Sequence, residues 1–490
     1  MNYRMITYIL GWILLFEAAF LLLPLLVGVI YGESAWLSFL WSALILAATG
    51  GLLVMKKPKS KELRSRDGFV VVSLSWIVLA LFGALPFMLT GVTTSFFDAF
   101  FETVSGFTTT GSTIFSDVES LPRAILFWRA FTHWIGGMGV LVFLMAFLPL
   151  SGGQNMHIMK AESPGPSVSK LVPRVRTTAL LLYTIYFVLT LIEFVLLLCG
   201  EMDGFEALCT AFSTAGTGGF GVKNDSINGF SAYTQTVVAI FMLLFGINFS
   251  SYFLVIRAKF KEAFTTEVRT FLVIVAVAVT LVTLSITAQI AADPALQAQL
   301  GSSKNLGDII RHAFFAVSSI ISTTGFVTVD FDLWPQLARS ILVLLMFTGC
   351  CAGSTGGGIK VSRIVIYFKC MMRELRLAVH PKQVRHITVD GKPVEESVVR
   401  SSLVFLGCFV SVFAISTLVV SLDCRDFTTN FTAVAATMGN IGPGLNAVGP
   451  TCNFGFFSPL SKLVLSFCML AGRLELIPML LLFSPTTWKK

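Results

Sequence analysis

Phe107-Thr-Thr-Thr-Gly111, Ala215-Gly-Thr-Gly-Gly-Phe220, Ser322-Thr-Thr-Gly-Phe326 and Gly439-Asn-Ile-Gly-Pro-Gly444 are four copies of one short pattern in a chain of 490 residues. Each follows a short apolar run, near 96–107, 204–214, 309–321 and 427–438, and each run lies between two long apolar stretches. Long helix, short helix, small-residue loop, long helix is the plan of a pore-forming unit. Four such units in one polypeptide predict a chain that folds around its own pore. Aligning the first and third loops at Gly111 and Gly325 gives an offset of 214 residues, which places Phe100-Phe101 on Phe314-Phe315, Ser105 on Ser319 and Thr109-Thr110 on Thr323-Thr324. Phe431 precedes Gly442 by eleven residues, as Phe100 precedes Gly111, and the second loop aligns through Thr217-Gly218 with Ala207 eleven residues earlier. A single copy is equally well a Gly/Thr-rich turn between helices, but a spacing held through several copies is rarely chance.

The rest of the chain is apolar. Hydrophobic residues make up 55% and charged residues 13%, with a mean hydropathy of +0.81. A soluble domain carries roughly 25% charged residues, so the composition is that of a multi-span membrane protein. Forty-five Phe against eight Tyr and eight Trp is a lipid-facing bias. The run from about Ile6 to Ile30 is too long for a signal-peptide core and has no small-residue cleavage site after it. Nine cysteines lack CxxC or Cys/His metal spacing. Cys424 and Cys452 flank the fourth loop, where a pairing and two free thiols are both compatible with the sequence.

Segments of about 20 apolar residues cross a bilayer. Ten are expected, near 6–30, 36–55, 69–92, 124–150, 177–200, 232–256, 270–293, 336–352, 399–422 and 459–485. The four short runs read as re-entrant helices, because non-helical backbone at membrane depth survives only inside protein or beside a water-filled path. The expected fold is an all-α polytopic membrane protein, with four pseudo-symmetric helix–pore helix–helix repeats around a central pore. Residues 1–68 form an N-terminal two-helix extension, and the repeats occupy 69–176, 177–269, 270–398 and 399–490. Lys and Arg in 56–68, 151–176, 257–269 and 360–400, with Arg4, Lys489 and Lys490, make 26 of 35 and fall on one side of alternating spans. The positive-inside rule makes that side cytoplasmic, together with both termini. The net charge of +8 then reflects topology and implies no nucleic acid. The 360–400 stretch is the best cytoplasmic docking surface.

Such an arrangement suits cations. A re-entrant helix aimed C-terminus first at an axis brings its negative dipole end there. Asp98, Glu102, Asp203, Glu206, Asp308 and Asp426 lie near the opposite ends. They complement the positive ends and are expected to raise the cation concentration at the mouth. Each loop would aim backbone carbonyls inward in place of a hydration shell, with glycine supplying the unusual φ/ψ. No acidic ring lies in the loops, which disfavours a divalent-cation filter. Below them, Thr348-Gly-Cys-Cys-Ala-Gly-Ser-Thr-Gly-Gly-Gly-Ile-Lys360 interrupts a long helix. Each glycine costs a helix interior about 1 kcal/mol against Ala, so the stretch reads as a plug or gate. Its resemblance to a phosphate-binding loop is compositional only, since the spacing is wrong.

Arg473, inside the last span, is a functional hypothesis by default. It reads either as a charge that sets conduction or holds the Gly-rich loop by its carbonyls, or as a structural tie between repeats. Glu475, two residues on, is not its helical neighbour. His133 reads as a packed interface residue, and Asn248 as an interhelical hydrogen bonder. A carrier coupling cation entry to Na⁺ or H⁺ is the competing reading, since such folds also use broken helices and repeats. An intramembrane enzyme has no catalytic constellation to support it.

Thr108-Thr-Thr-Gly111, Thr217-Gly-Gly-Phe220, Asn440-Ile-Gly-Pro-Gly444, His133-Trp-Ile-Gly-Gly-Met-Gly139, Ala352-Gly-Ser-Thr-Gly-Gly-Gly-Ile-Lys360 and Ala471-Gly-Arg473 together resemble the bacterial Trk/Ktr/HKT superfamily of K⁺ uptake proteins. The resemblance covers essentially the whole chain, and the extra N-terminal span pair is similar to the membrane subunit of the Trk branch. It implies a K⁺ filter built from Thr109, Thr110 and Gly111; Gly216, Thr217 and Gly218; Thr323, Thr324 and Gly325; and Asn440, Ile441 and Gly442. It implies a gate built from Gly353, Ser354, Thr355, Gly356, Gly357, Gly358 and Arg473. It also implies a homodimer in the inner membrane with one pore per subunit, K⁺ as the transported ion with no organic cofactor, and a cytoplasmic nucleotide-binding regulatory subunit of TrkA type. The second loop departs from the first by placing Gly216 where Thr109 stands.

Overall fold

In the computed structural model, residues 1–58, 65–139, 175–291, 293–299, 306–383, 385–474 and 476–488 are described. Segments 59–64, 140–174 and 300–305 lie outside the described residues. So do positions 292, 384, 475, 489 and 490, and with them much of the basic segments used for orientation. Helix dominates, and the strands among the described residues form one hairpin, Thr388–Val389 against Lys392–Pro393.

The four short helices are Phe96–Phe107, Gly204–Gly216, Leu306–Ile321 and Phe427–Gly439. An outer helix precedes each: Ser65–Gly83, Val175–Leu198, Thr266–Gln289 and Glu396–Val420. An inner helix follows each: Arg123–Gly137, Ala232–Gly246, Gln336–Thr348 and Pro459–Leu474. Within a repeat the short helix packs on both of its neighbours. Between repeats, the inner helix of one packs on the short helix of the next, from first to second, second to third, third to fourth, and fourth back to first. This closes four units of one sense into a ring.

Burial sorts the helices by depth in the ring. In the first short helix every residue from Ala99 to Phe107 is buried, including Thr103 and Ser105. The outer helix of the fourth repeat keeps only 22% of its apolar window inside the protein. Leu403, Val404, Val410, Ile415 and Leu418 point outward from it, where hydrocarbon replaces water as the surrounding medium. The N-terminal extension, Tyr3–Phe20 continuing as Leu22–Ile30 and then Ala35–Met55, packs on the outer and inner helices of the first repeat. Gly11 and Gly50 let its two helices approach until a Cβ on either would crowd the other's backbone oxygen at 2.8–2.9 Å. Glu33, in the turn between them, accepts from the N–H groups of Arg123 and Ala124 at 2.7 and 3.1 Å. It thereby caps an inner helix that begins on a proline and has no side-chain cap of its own.

The expected ten spans are not ten unbroken helices. Among the described residues, six are long and apolar enough to cross a membrane: Tyr3–Ile30, Ala35–Met55, Arg66–Leu89, Thr177–Leu198, Thr266–Gln289 and Glu396–Asp423. The inner helices differ. The second bends by 93° between Gly246 and Phe249. The third ends at Thr348 after 13 residues, about 20 Å. The described part of the first ends at Gly137, and the fourth is described as Pro459–Leu474 and Leu476–Phe483. Hydropathy runs unbroken across 232–256, so the second break is a tertiary effect. Asn248 does not bridge two helices as expected. Its side chain accepts from the Ser250 N–H at 2.8 Å and caps the helix Phe249–Ile256.

One ion pair pins the first short helix to its inner helix. Arg129 Nε donates to Glu102 Oε1 at 2.8 Å, with both side chains almost wholly buried. Glu102 also accepts from Thr113 Oγ1 and from the Ile114 N–H, and the guanidinium lies over the Phe220 ring at 4.1 Å. Removing one partner strands a charge in a low-dielectric interior. Glu102→Ala should therefore cost about 3–5 kcal/mol, and Glu102→Ala with Arg129→Ala should cost less than the sum of the single changes. Thermal unfolding of the detergent-purified protein measures both.

Candidate functional site

The four short helices end in the same way. Thr109, Thr217, Thr323 and Asn440 each adopt a left-handed conformation, with φ of 54°, 54°, 59° and 55°. Each donates its N–H to the carbonyl three residues back, at Gly106, Thr214, Ile320 and Thr437. The following N–H, of Thr110, Gly218, Thr324 and Ile441, reaches back five residues to Ser105, Ser213, Ser319 and Ala436 at 2.8–2.9 Å. This is the closing geometry of a helix C-terminus, and it turns the next carbonyls away from the helix. The residue after that is glycine in every repeat, Gly111, Gly219, Gly325 and Gly442, with φ of 82°, 78°, 83° and 102°.

Conformation therefore puts the second loop one residue later than spacing suggested. Thr217, Gly218 and Gly219 match Thr109, Thr110 and Gly111, whereas Gly216 is the last residue of its helix. Leu208 takes the place that Ala207 was given. Two consecutive glycines allow either alignment on paper, and the left-handed Thr217 decides between them.

The glycines meet around one axis. A Cβ on Gly111 would land on the carbonyl oxygen of Gly218, one on Gly219 on that of Thr324, and one on Gly325 on that of Ile441. One on Gly442 would lie 2.8 Å from that of Thr110. Each loop thus presses on the carbonyl of the next, and the fourth on the first. All four glycines line a single outward cavity of about 110 Å³. Hydroxyls brace the loops from behind. Thr108 and Thr110 share a hydrogen bond at 2.8 Å, as Ser322 and Thr324 do at 2.7 Å, and Ser213 and Ser319 donate to the carbonyls of Phe220 and Phe326. The seam between fourth and first loops carries Ser112 Oγ to the Gly442 carbonyl at 3.1 Å and Asn440 Nδ2 to Thr110 Oγ1 at 2.9 Å.

His133 is the interface residue expected of it. Its Nε2 accepts the Phe220 N–H at 3.2 Å, so the proton sits on Nδ1, which donates to the Gly106 carbonyl at 2.7 Å. The ring stacks on Phe220 and fills the space beside Gly218.

The six acidic residues complement helix starts but do not furnish the mouth. Asp203 and Glu206 form a reciprocal cap, and Asp426 accepts from the Thr429 hydroxyl and, more weakly, from the Thr429 N–H, which together hold its carboxyl below the usual range. Asp98 pairs with Lys462, Asp308 with Arg311 and Glu102 with Arg129. None lines the outward cavity, whose charged lining residues are Arg129 and Lys223. Cys424 and Cys452 are free and exposed.

Directly beneath the ring lies the Gly-rich stretch. Gly357 N–H donates to Thr323 Oγ1 at 2.8 Å, and Gly357 itself lies against the Gly439 carbonyl and Asn440. Cys350 Sγ faces the Ile321 carbonyl. The stretch also occupies the bend in the second inner helix. The N–H of Cys351 goes to the Gly246 carbonyl, the Thr355 hydroxyl to that of Phe245, and the Gly353 carbonyl takes the Phe249 N–H. These bonds satisfy backbone groups that the break would leave orphaned. Two cations hold it from within. Arg473 donates to the carbonyls of Thr355, Gly136 and Gly137, and Lys360 Nζ to that of Gly356. Arg473 thus combines both expected roles, loop holder and tie between repeats. Lys360 and the bend at Asn248 were not foreseen as parts of this site.

The family model described as TrkH, a cation transport protein, matches residues 37–490. The "Trk system potassium uptake protein TrkH" of Escherichia coli strain K12 is 36% identical over 496 residues, and that of Halomonas elongata 35% identical over 495, each spanning the whole of both chains. The crystal structure of the potassium transporter TrkH from Vibrio parahaemolyticus shares this backbone with a TM-score of 0.88 at 33% identity, again over the full length of both chains. With four interlocked repeats, a ring of left-handed turns and these full-length likenesses, the chain belongs to the TrkH family of cation transport proteins.

Proposed function

We propose that the chain takes up K⁺ across the cytoplasmic membrane through one gated pore, as the membrane subunit of a Trk-type system. The observation that carries this reading is the closed succession of carbonyls, Thr110 to Gly218 to Thr324 to Ile441, each pressed on by a glycine of the neighbouring loop. Rings of backbone oxygen at the end of converging helix dipoles replace the hydration of a monovalent cation without burying an opposite charge. The K⁺ ligands are drawn from Thr109, Thr110 and Gly111; Thr217, Gly218 and Gly219; Thr323, Thr324 and Gly325; and Asn440, Ile441 and Gly442. Gly216 precedes this set.

The stretch Gly353, Ser354, Thr355, Gly356, Gly357 and Gly358 is the gate, held shut by Arg473. Its bonds to Thr323 Oγ1 and to three repeats support that role, because a loop in this place obstructs the path below the ring. The basic segments support an orientation with both termini and the Gly-rich side cytoplasmic. The chain works as a transport protein and not as an enzyme. It acts as a homodimer with one pore per subunit, and a nucleotide-binding subunit of TrkA type docks on its cytoplasmic face. The relatives named as potassium uptake proteins of a Trk system support this assignment. Four units of one sense favour a pore over a coupled carrier, whose repeats are commonly inverted.

Expression in a bacterium lacking K⁺ uptake should restore growth at low K⁺, and in liposomes the current should reverse at the K⁺ equilibrium potential. A reversal potential that follows Na⁺ or H⁺ as well would replace the pore by a coupled carrier. Gly219→Ser puts a side chain against the Thr324 carbonyl and should lower K⁺ over Na⁺ selectivity by an order of magnitude, as about 1.4 kcal/mol would; paired Rb⁺ and Na⁺ fluxes measure it. Arg473→Ala removes three carbonyl contacts from beneath the ring, and its flux at equal expression should exceed that of the unchanged chain.

A further inference from the structure

The two ends of the Gly-rich stretch are zipped together. Lys360 N–H donates to the Thr348 carbonyl at 3.1 Å and Val361 N–H to the Cys350 carbonyl at 3.0 Å. Beyond this neck, the N–H groups of Ala352 and Ser362, one from each side, converge on a single carboxylate oxygen. That oxygen is Glu267 Oε1, at 2.6 Å from Ala352 and 3.1 Å from Ser362. Glu267 belongs to neither flank. It sits in the first turn of the outer helix Thr266–Gln289.

The residue before it is held in turn from the cytoplasmic segment. Thr266 donates both its N–H and its hydroxyl to Asp390 Oδ1, at 2.6 and 2.7 Å. Asp390 and Gly391 are the two turn residues of the hairpin Thr388–Val389/Lys392–Pro393, with φ of 50° and 73°. Positive φ at both central positions is the tight turn that suits a two-residue hairpin, for which Asp-Gly is a preferred pair. The hairpin is itself seated. Ile387 is buried with Ile366 and Cys370, on the helix Val361–Val379 that leaves the Gly-rich stretch, and with Val399 on the next outer helix. Asp390, Gly391 and Lys392 remain exposed.

We propose that Glu267 is the latch of the Gly-rich stretch and that Asp390, on the exposed hairpin turn, is the residue that positions it. A charge-assisted bond to backbone N–H groups is stronger than a neutral one. Glu267 makes two, one to each side of the neck, so that opening the neck and losing the carboxylate are the same event. Asp390 sets where that carboxylate stands, because it fixes the residue next to it. Displacing the hairpin therefore moves Glu267 without any contact to the ring. The effect on flux rests on the gate reading above, whereas the holding of the stretch does not.

The test separates the two. In the full-length chain retaining only Cys350 and Cys351, both now fully buried, a small methanethiosulfonate reports whether the stretch has left its seat. Rb⁺ flux in liposomes reports whether the path has opened. Glu267→Ala should raise the thiol modification rate on the order of tenfold. Asp390→Ala, on an exposed turn that leaves the core intact, should raise it by less, and Asp390→Asn, which keeps an acceptor oxygen, should restore it. The double change should equal Glu267→Ala alone, since both act through one contact. Unchanged modification in Asp390→Ala, or full additivity of the two changes, overturns the latch. Faster modification with unchanged Rb⁺ flux keeps the latch and overturns the gate.

Discussion

Everything in this molecule answers to the crowding of four carbonyl groups around one axis. Oxygens carrying like partial charge repel, and they stay together only because each is anchored to a helix end that cannot retreat. The anchoring is the left-handed residue after each short helix, which trades the last helical hydrogen bonds for a five-residue reach back to the serine or alanine in the preceding turn. Glycine follows because a side chain there would occupy the neighbouring loop's oxygen. The same geometry thus fixes the direction of the carbonyls and forbids any larger residue from separating the loops.

The scaffold serves that crowding. Each short helix is gripped by three others, two of its own repeat and one of the preceding repeat, so the ring is tensioned from all sides. Inside the protein Arg129 and Glu102 hold each other, whereas two further cations hold backbone. Arg473 and Lys360 both turn to carbonyls, Lys360 to one of the Gly-rich stretch and Arg473 to that stretch and to the first inner helix. Cations suit that task, because the ends of broken helices present unpaired oxygens. The broken inner helices and the buried cations are therefore two halves of one arrangement. Glu267 is the complementary case, an anion gathering the unpaired N–H groups at the neck.

Much of this was legible in the sequence, for identifiable reasons. The four loops announce themselves by spacing, since a pseudo-symmetric ring demands the same reach from helix start to turn in every repeat. The Gly-rich stretch is visible because no helix tolerates Gly356, Gly357 and Gly358 in a row. The register of the second loop was not visible, because Gly218 and Gly219 differ only in backbone conformation. The bend at Asn248 was hidden in a continuous apolar run, and its cause lies more than a hundred residues away in Cys351, Gly353 and Thr355. The acidic residues were expected to complement helix starts and also to raise the cation concentration at the mouth. Their neighbours in space, Lys462 for Asp98 and Arg129 for Glu102, are remote in sequence. Glu267 drew no reading from the sequence, and only the tertiary structure reveals what it holds.

The seam between the fourth loop and the first has a consequence for how such a chain comes into being. Neighbouring loops elsewhere are joined by the polypeptide itself, but Thr110 and Ser112 meet Asn440 and Gly442 only through side chains and contact. While the chain is still being made, the crown of oxygens is a horseshoe, with one end exposed until the last repeat is threaded into the bilayer. Biogenesis must therefore shelter an unfinished polar rim in hydrocarbon, and the final helical hairpin works as its keystone. A truncated product would remain open along that edge however well its earlier repeats had folded.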